Sequence, residues 1–296
     1  MDIFVVGATG YIGGTVAERL RQAGHRVRGL ARTEARASAL RQKGIEPIVG
    51  SLDDTSILEV AARAADVVIS AADADHRPSV EALLRALSGS GKKLIHTSGS
   101  SIVSTDAKGE PTTSVYDEDT LPEPIADKGG RVSLDRDVLS AARGGVRSVV
   151  ICPTMIYGEG SGVNPQSIQV PSIVADAKST GTAHWIGRGE NVWSNVHIDD
   201  LADLYLLALE KSPAGTFYFA ENGEQDLKSI AEAVALRLAL PAGSYSADEA
   251  LQTWGMGPGR IGLGSNSRVR AKRARTLLGW RPHRPSILEW LSAAAL

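Results

Sequence analysis

Along the first half of the chain, short apolar runs alternate with stretches whose apolar positions recur every three or four residues. Asp2–Val6 reads as a strand buried on both faces, and residues 11–23 as a helix that breaks at Gly24. Strands are expected again at 25–31, 45–49, 66–70, 93–97 and 147–152, with a helix at 34–42 and helical patterns between the others. Strands joined by helices require crossovers, so the expected sheet is parallel, with helices on both faces. After Pro153 the rhythm changes. Helices dominate, with a strongly periodic one at 199–211 and short extended pieces near 184–186, 194–198 and 216–220. The glycine-rich stretch Met256–Gly264 reads as a flexible loop.

The first turn carries the first candidate chemistry. Gly7, Ala8, Thr9, Gly10, Tyr11, Ile12 and Gly13 follow an apolar strand and open a helix. One glycine permits the tight turn, another lets the backbone approach a pyrophosphate, and the last lets helix and strand pack closely. The helix N-terminus then offers free N–H groups and a positive dipole end. This is the dinucleotide fingerprint in its expected context. The fold class is therefore α/β: a Rossmann doubly wound parallel sheet with a smaller helix-rich C-terminal substrate lobe. The dinucleotide-binding part is expected over residues 1–160 with returning segments near 194–220. The lobe is expected over 161–193 and 221–296.

The end of the second strand selects the cofactor. An acid there would bind the ribose 2′-hydroxyl of NAD, but the sequence has Ala31-Arg32, with Arg36 one turn on. Arginine suits the 2′-phosphate, so NADP is expected, with NAD possible. Further along the cofactor, Leu52 is placed to cover the adenine and Ser51 to bond its edge. Asp53 fits equally as a helix N-cap. Ala71 and Ala72 have the small side chains needed beside a ribose.

Composition narrows the partners. With 43% hydrophobic and 22% charged residues and a net charge of −2, nothing favours nucleic acid or an anionic membrane. No apolar run is long enough for a membrane span, and Met1 leads directly into a strand without a signal-like segment. Cys152 is the single cysteine, so no intrachain disulfide forms. A cytoplasmic monomer or homodimer acting on a small molecule is the expectation.

GATGYIG at the start, TSG at 97–99, CPTMIYG at 152–158, VHIDDLADLY at 196–205 and LGWRP at 278–282 together resemble the extended short-chain dehydrogenase/reductases. The resemblance implies a cofactor domain, a C-terminal substrate lobe and, in many members, a dimer through a helix pair, here about 82–88 and 132–143. It also implies that Thr97 lies at the cofactor, that Pro153 and Thr154 wall the nicotinamide, and that His197, Asp199 and Asp200 are structural. A metal reading of the last three is rejected, since the spacing lacks a third ligand.

The chain departs from this family's pattern where the chemistry sits. Members carry Tyr-x-x-x-Lys at the start of the helix before the sixth strand; this chain reads Ala126-Asp127-Lys128-Gly129-Gly130-Arg131-Val132-Ser133. One register puts Lys128 and Val132 at the pair, and the other puts Asp127 and Arg131 there. The family serine, which polarises a substrate oxygen, aligns with Gly99, flanked by Ser98 and Ser100. Ser100 is the first choice for that role, with Ser98 beside it. Lys128 is the candidate proton donor and Tyr116, in a loop, an alternative. Nucleotide-sugar relatives hold a pyrophosphate with an arginine four residues before the motif histidine; here Trp193 stands there. Trp193, Trp185 and Tyr157 are the candidate substrate contacts, and Arg188 and Arg260 the remaining anion contacts. The leading expectation is an NADP-dependent oxidoreductase acting on a small or medium carbonyl or alcohol. A nucleotide-sugar epimerase or dehydratase with recycled NAD, and a non-catalytic dinucleotide sensor, are the alternatives.

Overall fold

The computed structural model describes residues 1–296, apart from the side chains of Pro258 and Arg260. The first half builds β1 (Asp2–Val6), α1 (Tyr11–Gln22), β2 (Arg26–Ala31), α2 (Glu34–Gln42), β3 (Glu46–Val49), α3 (Thr55–Ala64), β4 (Val67–Ser70), α4 (Arg77–Leu87) and β5 (Lys93–Thr97). A long connection leads to α5 (Gly129–Ser140) and β6 (Arg147–Pro153). The chain continues through β7 (Met155–Tyr157), α6 (Gln169–Thr180), β8 (Ala183–Ile186), β9 (Val192–His197), α7 (Ile198–Lys211) and β10 (Thr216–Ala220). It closes with β11 (Glu224–Asp226), α8 (Leu227–Leu238), β12 (Ala242–Tyr245), α9 (Ala247–Trp254), α10 (Lys272–Leu278) and α11 (Ile287–Ala293).

The main sheet has seven strands in the order β10-β6-β5-β4-β1-β2-β3, every pairing parallel. β4 is buried at every position, which is why its sequence is an apolar run without alternation; β5 is buried throughout as well, with the polar Lys93, His96 and Thr97 flanking Leu94 and Ile95. The strand order reverses between β1 and β4. There the loops after the two strands part and leave a crevice at the carboxyl edge, the usual place for a ligand in an open α/β sheet.

A second hydrophobic cluster gathers Val170 and Ile173 of α6, Ile230 and Val234 of α8, and Ile287 and Leu291 of α11. Met256–Leu263 is not the loop expected from its glycines. It winds into wide helical turns, tied to α6 by Gln169 Nε2 donating to the Gly262 carbonyl at 2.7 Å. Tertiary packing here overrides the low helix propensity of glycine. No helix among the described residues is long and apolar enough to cross a membrane.

Candidate functional site

The turn after β1 is shaped by two glycines. Gly7 has φ of +95°, and a Cβ on it would sit 2.5 Å from the Ala71 carbonyl oxygen. A Cβ on Gly13 would strike the Gly7 carbonyl. The turn after β1, the loop after β4 and the start of α1 are therefore packed backbone to backbone, leaving the N-terminus of α1 open toward the crevice. That crevice, about 500 Å³, is lined by Gly7, Thr9, Gly10, Leu30, Arg32, Ser51, Leu52, Asp53, Ala71, Ala72, Asp73 and His76. Arg32 is exposed at its rim.

Within this cradle the side chains fall into two groups. Gly7, Thr9, Gly10, Arg32, Leu52, Ala71 and Ala72 line the open space of the crevice. Others are committed to the protein. Ser51 donates its hydroxyl to Asp54 Oδ2 at 2.9 Å and so braces the turn before α3. Asp53 does not cap that helix; Asp54 stands at the N-cap, and Asp53 Oδ1 lies 3.2 Å from the His76 ring. Tyr11 turns its side chain away, donating to the Gly158 carbonyl at 2.8 Å. Ile12 packs against the core. Leu30, Asp73 and His76 line the crevice without having been singled out in the sequence. Leu30 and Asp73 stand near the ends of β2 and β4, which was the available signal, whereas His76 is the N-cap of α4.

Further along the carboxyl edge of the sheet, the turn after β5 packs against the start of α5. Arg131 donates from Nε to Asp75 Oδ1 at 2.8 Å and from a terminal nitrogen to Asp75 Oδ2. Its other terminal nitrogen donates to Ser101 Oγ at 3.1 Å. The Asp75 pair outweighs the burial that would lower the Arg131 pKa, so the guanidinium keeps its charge. Lys128, half-buried at the N-cap of α5, is pushed below the ordinary lysine value by burial and by the neighbouring Arg131. Asp75 and Asp127 oppose that shift. Beneath this layer Ser98 donates to Asp135 Oδ2 at 2.6 Å, and the buried His96 ring lies 3.7 Å from Asp135 Oδ1. Burial pushes Asp135 up to about 7, and burial with Arg131 pushes His96 down to about 4.

The sequence pattern of the NAD dependent epimerase/dehydratase family matches residues 3–218. The chain belongs to that family. It is an NAD(P)-binding enzyme of the oxidoreductase type. Over 332 residues it is 33% identical to the oxidase UcsJ of an Acremonium species, spanning 98% of this chain and 95% of that one. A ketoreductase of Stigmatella aurantiaca that acts on a farnesylated dihydroquinoline oxide is 30% identical over 239 residues, covering 75% of this chain and 69% of its own. The Bacillus anthracis dTDP-glucose 4,6-dehydratase, solved with NAD, superposes with a TM-score of 0.76 over 99% of this chain and 94% of that one. At 18% identity that likeness establishes the fold alone.

Several residues expected at the family's catalytic end make their hydrogen bonds within the protein. Ser100 is 1% exposed, and its hydroxyl accepts from Ser267 Oγ at 2.9 Å; it is held in the interior and not presented to a substrate. Ser98 is taken up by Asp135, and Thr97 shares a 2.6 Å hydrogen bond with the Tyr205 hydroxyl on α7. Tyr116 is pinned by its backbone beside Val269, as a loop anchor. Pro153 and Thr154 are buried against β10, and Thr154 donates its hydroxyl to the Ala220 carbonyl at 2.9 Å.

The substrate-side aromatics are likewise engaged within the protein. Trp193 is 5% exposed and donates Nε1 to the Ser265 carbonyl at 2.9 Å, which makes it core. Trp185 donates to the Gly187 carbonyl and lies under the Lys228 ammonium. Tyr157 is buried, edge-on to His197, and donates to the Pro285 carbonyl at 2.6 Å. His197 caps α7 by accepting from the Asp199 N–H at 3.2 Å. Asp200, Asp203 and His283 come within reach of one another, a third ligand-type group that the sequence did not foreshadow. Their bonds are internal: Asp200 accepts the N–H groups of His283 and Arg284 at 3.0 Å, and Asp203 pairs with Arg19. Arg188 is neutralised by Glu190 and Glu110. The Arg260 side chain lies outside the described residues.

Proposed function

We propose that the chain is an NADP-dependent reductase or dehydrogenase of small to medium carbonyl and alcohol compounds. The observation that carries this reading is Arg32 at the rim of a crevice shaped for a dinucleotide, with no acid at the end of β2. A guanidinium there can take a ribose 2′-phosphate in two parallel hydrogen bonds. The crevice fits the group on its own terms. Gly7 and Gly13 have no room for a Cβ, and the α1 N-terminus faces the space a pyrophosphate needs. When bound, NADPH supplies the two electrons and the hydrogen that a carbonyl carbon takes up.

The chain's own residues supply orientation and a proton. Lys128 is the proposed proton donor, since a lysine pKa lowered by burial brings it closer to the range useful for general acid work. Trp193 in the core, at the place where nucleotide-sugar relatives are expected to hold an arginine, counts against a diphosphate substrate. So does the neutralised Arg188. The S. aurantiaca ketoreductase supports a carbonyl substrate.

The test is a panel of quinones, α-diketones and UDP-sugars offered with NADPH. Stoichiometric NADPH consumption by a carbonyl compound is expected. UDP-sugar conversion on retained NAD, with no net consumption, would replace the reading by the epimerase one. Lys128→Gln should lower kcat at least about tenfold. In the wild type, kcat should fall with rising pH at a value below that of a free lysine, because only the protonated amine donates. A pH profile unchanged by Lys128→Gln would remove Lys128 from the reaction.

A further inference from the structure

The two departures from the family pattern, glycine at 99 and no Tyr-x-x-x-Lys, meet at one place. Gly99 has φ of −168°, extended backbone that any residue can adopt, so conformation does not require glycine there. The neighbouring side chain does bear on it. A Cβ on Gly99 would lie 3.1 Å from a terminal nitrogen of Arg131, a close approach that the guanidinium, held by Asp75 and Ser101, would have to yield to. The guanidinium thus borders the volume into which a serine at 99 would project. The same nitrogen donates to Ser101 Oγ, whose side chain is half-buried, unlike the interior Ser100. Arg131 itself is 15% exposed, at the carboxyl edge of β5.

We propose that Arg131 is a catalytic residue, and that with Ser101 it forms the oxyanion site for the substrate carbonyl oxygen. The proposal rests on the reductase reading above and names the residues that serve it. As the carbonyl carbon gains its new C–H bond, the π electrons of the C=O bond move to oxygen. That oxygen accepts N–H and O–H hydrogen bonds from Arg131 and Ser101. A guanidinium does not release its proton in the working pH range, so Arg131 stabilises the charge without neutralising it. The proton that completes the alcohol comes from Lys128, one turn away, or from water, leaving a neutral amine or hydroxide. Asp75 holds the guanidinium plane by its two hydrogen bonds and leaves other N–H groups of Arg131 to an incoming oxygen. Glycine at 99 and arginine at 131 are, on this account, complementary: α5 supplies the charge, and the residue without a side chain leaves it room.

The experiment compares wild type, Arg131→Met, Arg131→Lys and Ser101→Ala by three readouts. They are NADPH affinity from nicotinamide fluorescence, calorimetric binding of acetate to protein saturated with NADP+, and kcat on the reduced member of the quinone and α-diketone panel. Acetate is the probe because its carboxylate mimics a carbonyl oxygen carrying negative charge. The expected result has NADPH affinity within threefold in all four proteins. Acetate binding should weaken at least tenfold in Arg131→Met, and kcat should fall about 100-fold there and about tenfold in Ser101→Ala. Arg131→Lys should recover part of both. Acetate binding that is absent from the wild type, or unchanged in Arg131→Met, overturns the proposal. So does a kcat loss matched by an equal loss of NADPH affinity, which would make Arg131 a cofactor anchor only. Should Arg131→Met melt early, an unchanged kcat and acetate affinity in Ser101→Ala overturns it alone. A wild type that reduces nothing in the panel overturns the underlying reductase reading, a failure distinct from these.

Discussion

At the residue scale, the buried pair His96 and Asp135 has opposite and partly cancelling effects on stability. Arg131, Asp75, Ser98 and Cys152 are the groups that face it. Asp135 is raised from 3.8 to about 7, so between those values the folded chain binds more protons than the unfolded one, and stability falls as pH rises. His96 is lowered from 6.5 to about 4, so over that window the unfolded chain binds more protons, and stability rises with pH. Asp135→Asn removes the first effect and leaves the second. Its melting temperature should therefore climb with pH between about 4 and 6.5 more steeply than that of the wild type. His96→Gln should show the opposite change of slope. Thermal melts across that range check both, and identical slopes in all three proteins would show that the pair does not titrate there.

At the element scale, what was legible in the sequence was whatever depends on neighbours along the chain. The strands and the β1–α1 turn belong to this class, because burial on both faces and glycine spacing are local patterns. Gly13→Ala tests that turn. Its Cβ would meet the Gly7 carbonyl, so the turn must open, at a cost of about 1–3 kcal/mol, with loss of dinucleotide binding. Melting and nicotinamide fluorescence measure the two effects, and tight binding in this variant would mean that the close packing is dispensable. The residues whose burial the sequence did not foretell have partners far away in sequence. Ser100 bonds Ser267, 167 residues on, and Trp193 bonds Ser265, 72 residues on. No local pattern in the chain announces that the segment 265–269 returns to cover them. Arg131 was visible only as one of two registers. Its bonds to Asp75 and Ser101 single it out, through contacts spanning 56 and 30 residues.

At the scale of the whole molecule, the C-terminal segment ties the sheet to the second cluster through α7. Trp280 donates Nε1 to the Asp200 carbonyl at 2.9 Å, while the Asp200 carboxylate accepts from the backbone N–H groups of His283 and Arg284, a few residues on. Asp200→Ala strands those two donors and should cost about 3 kcal/mol. Chemical denaturation would measure it, and a loss well under 1 kcal/mol would mean that water replaces the carboxylate. This clasp lies away from the residues that line the dinucleotide crevice, so the variant should keep its cofactor affinity while it remains folded.

The crevice itself is the centre of the account, and the most direct measurement is a titration of ligand-free protein with NADPH and NADH separately, followed by nicotinamide fluorescence. The account predicts NADPH binding at least about tenfold tighter, roughly 1.4 kcal/mol, with the preference lost in Arg32→Ala. Equal or tighter binding of NADH would contradict the reading of Arg32, and binding of neither would contradict the dinucleotide site.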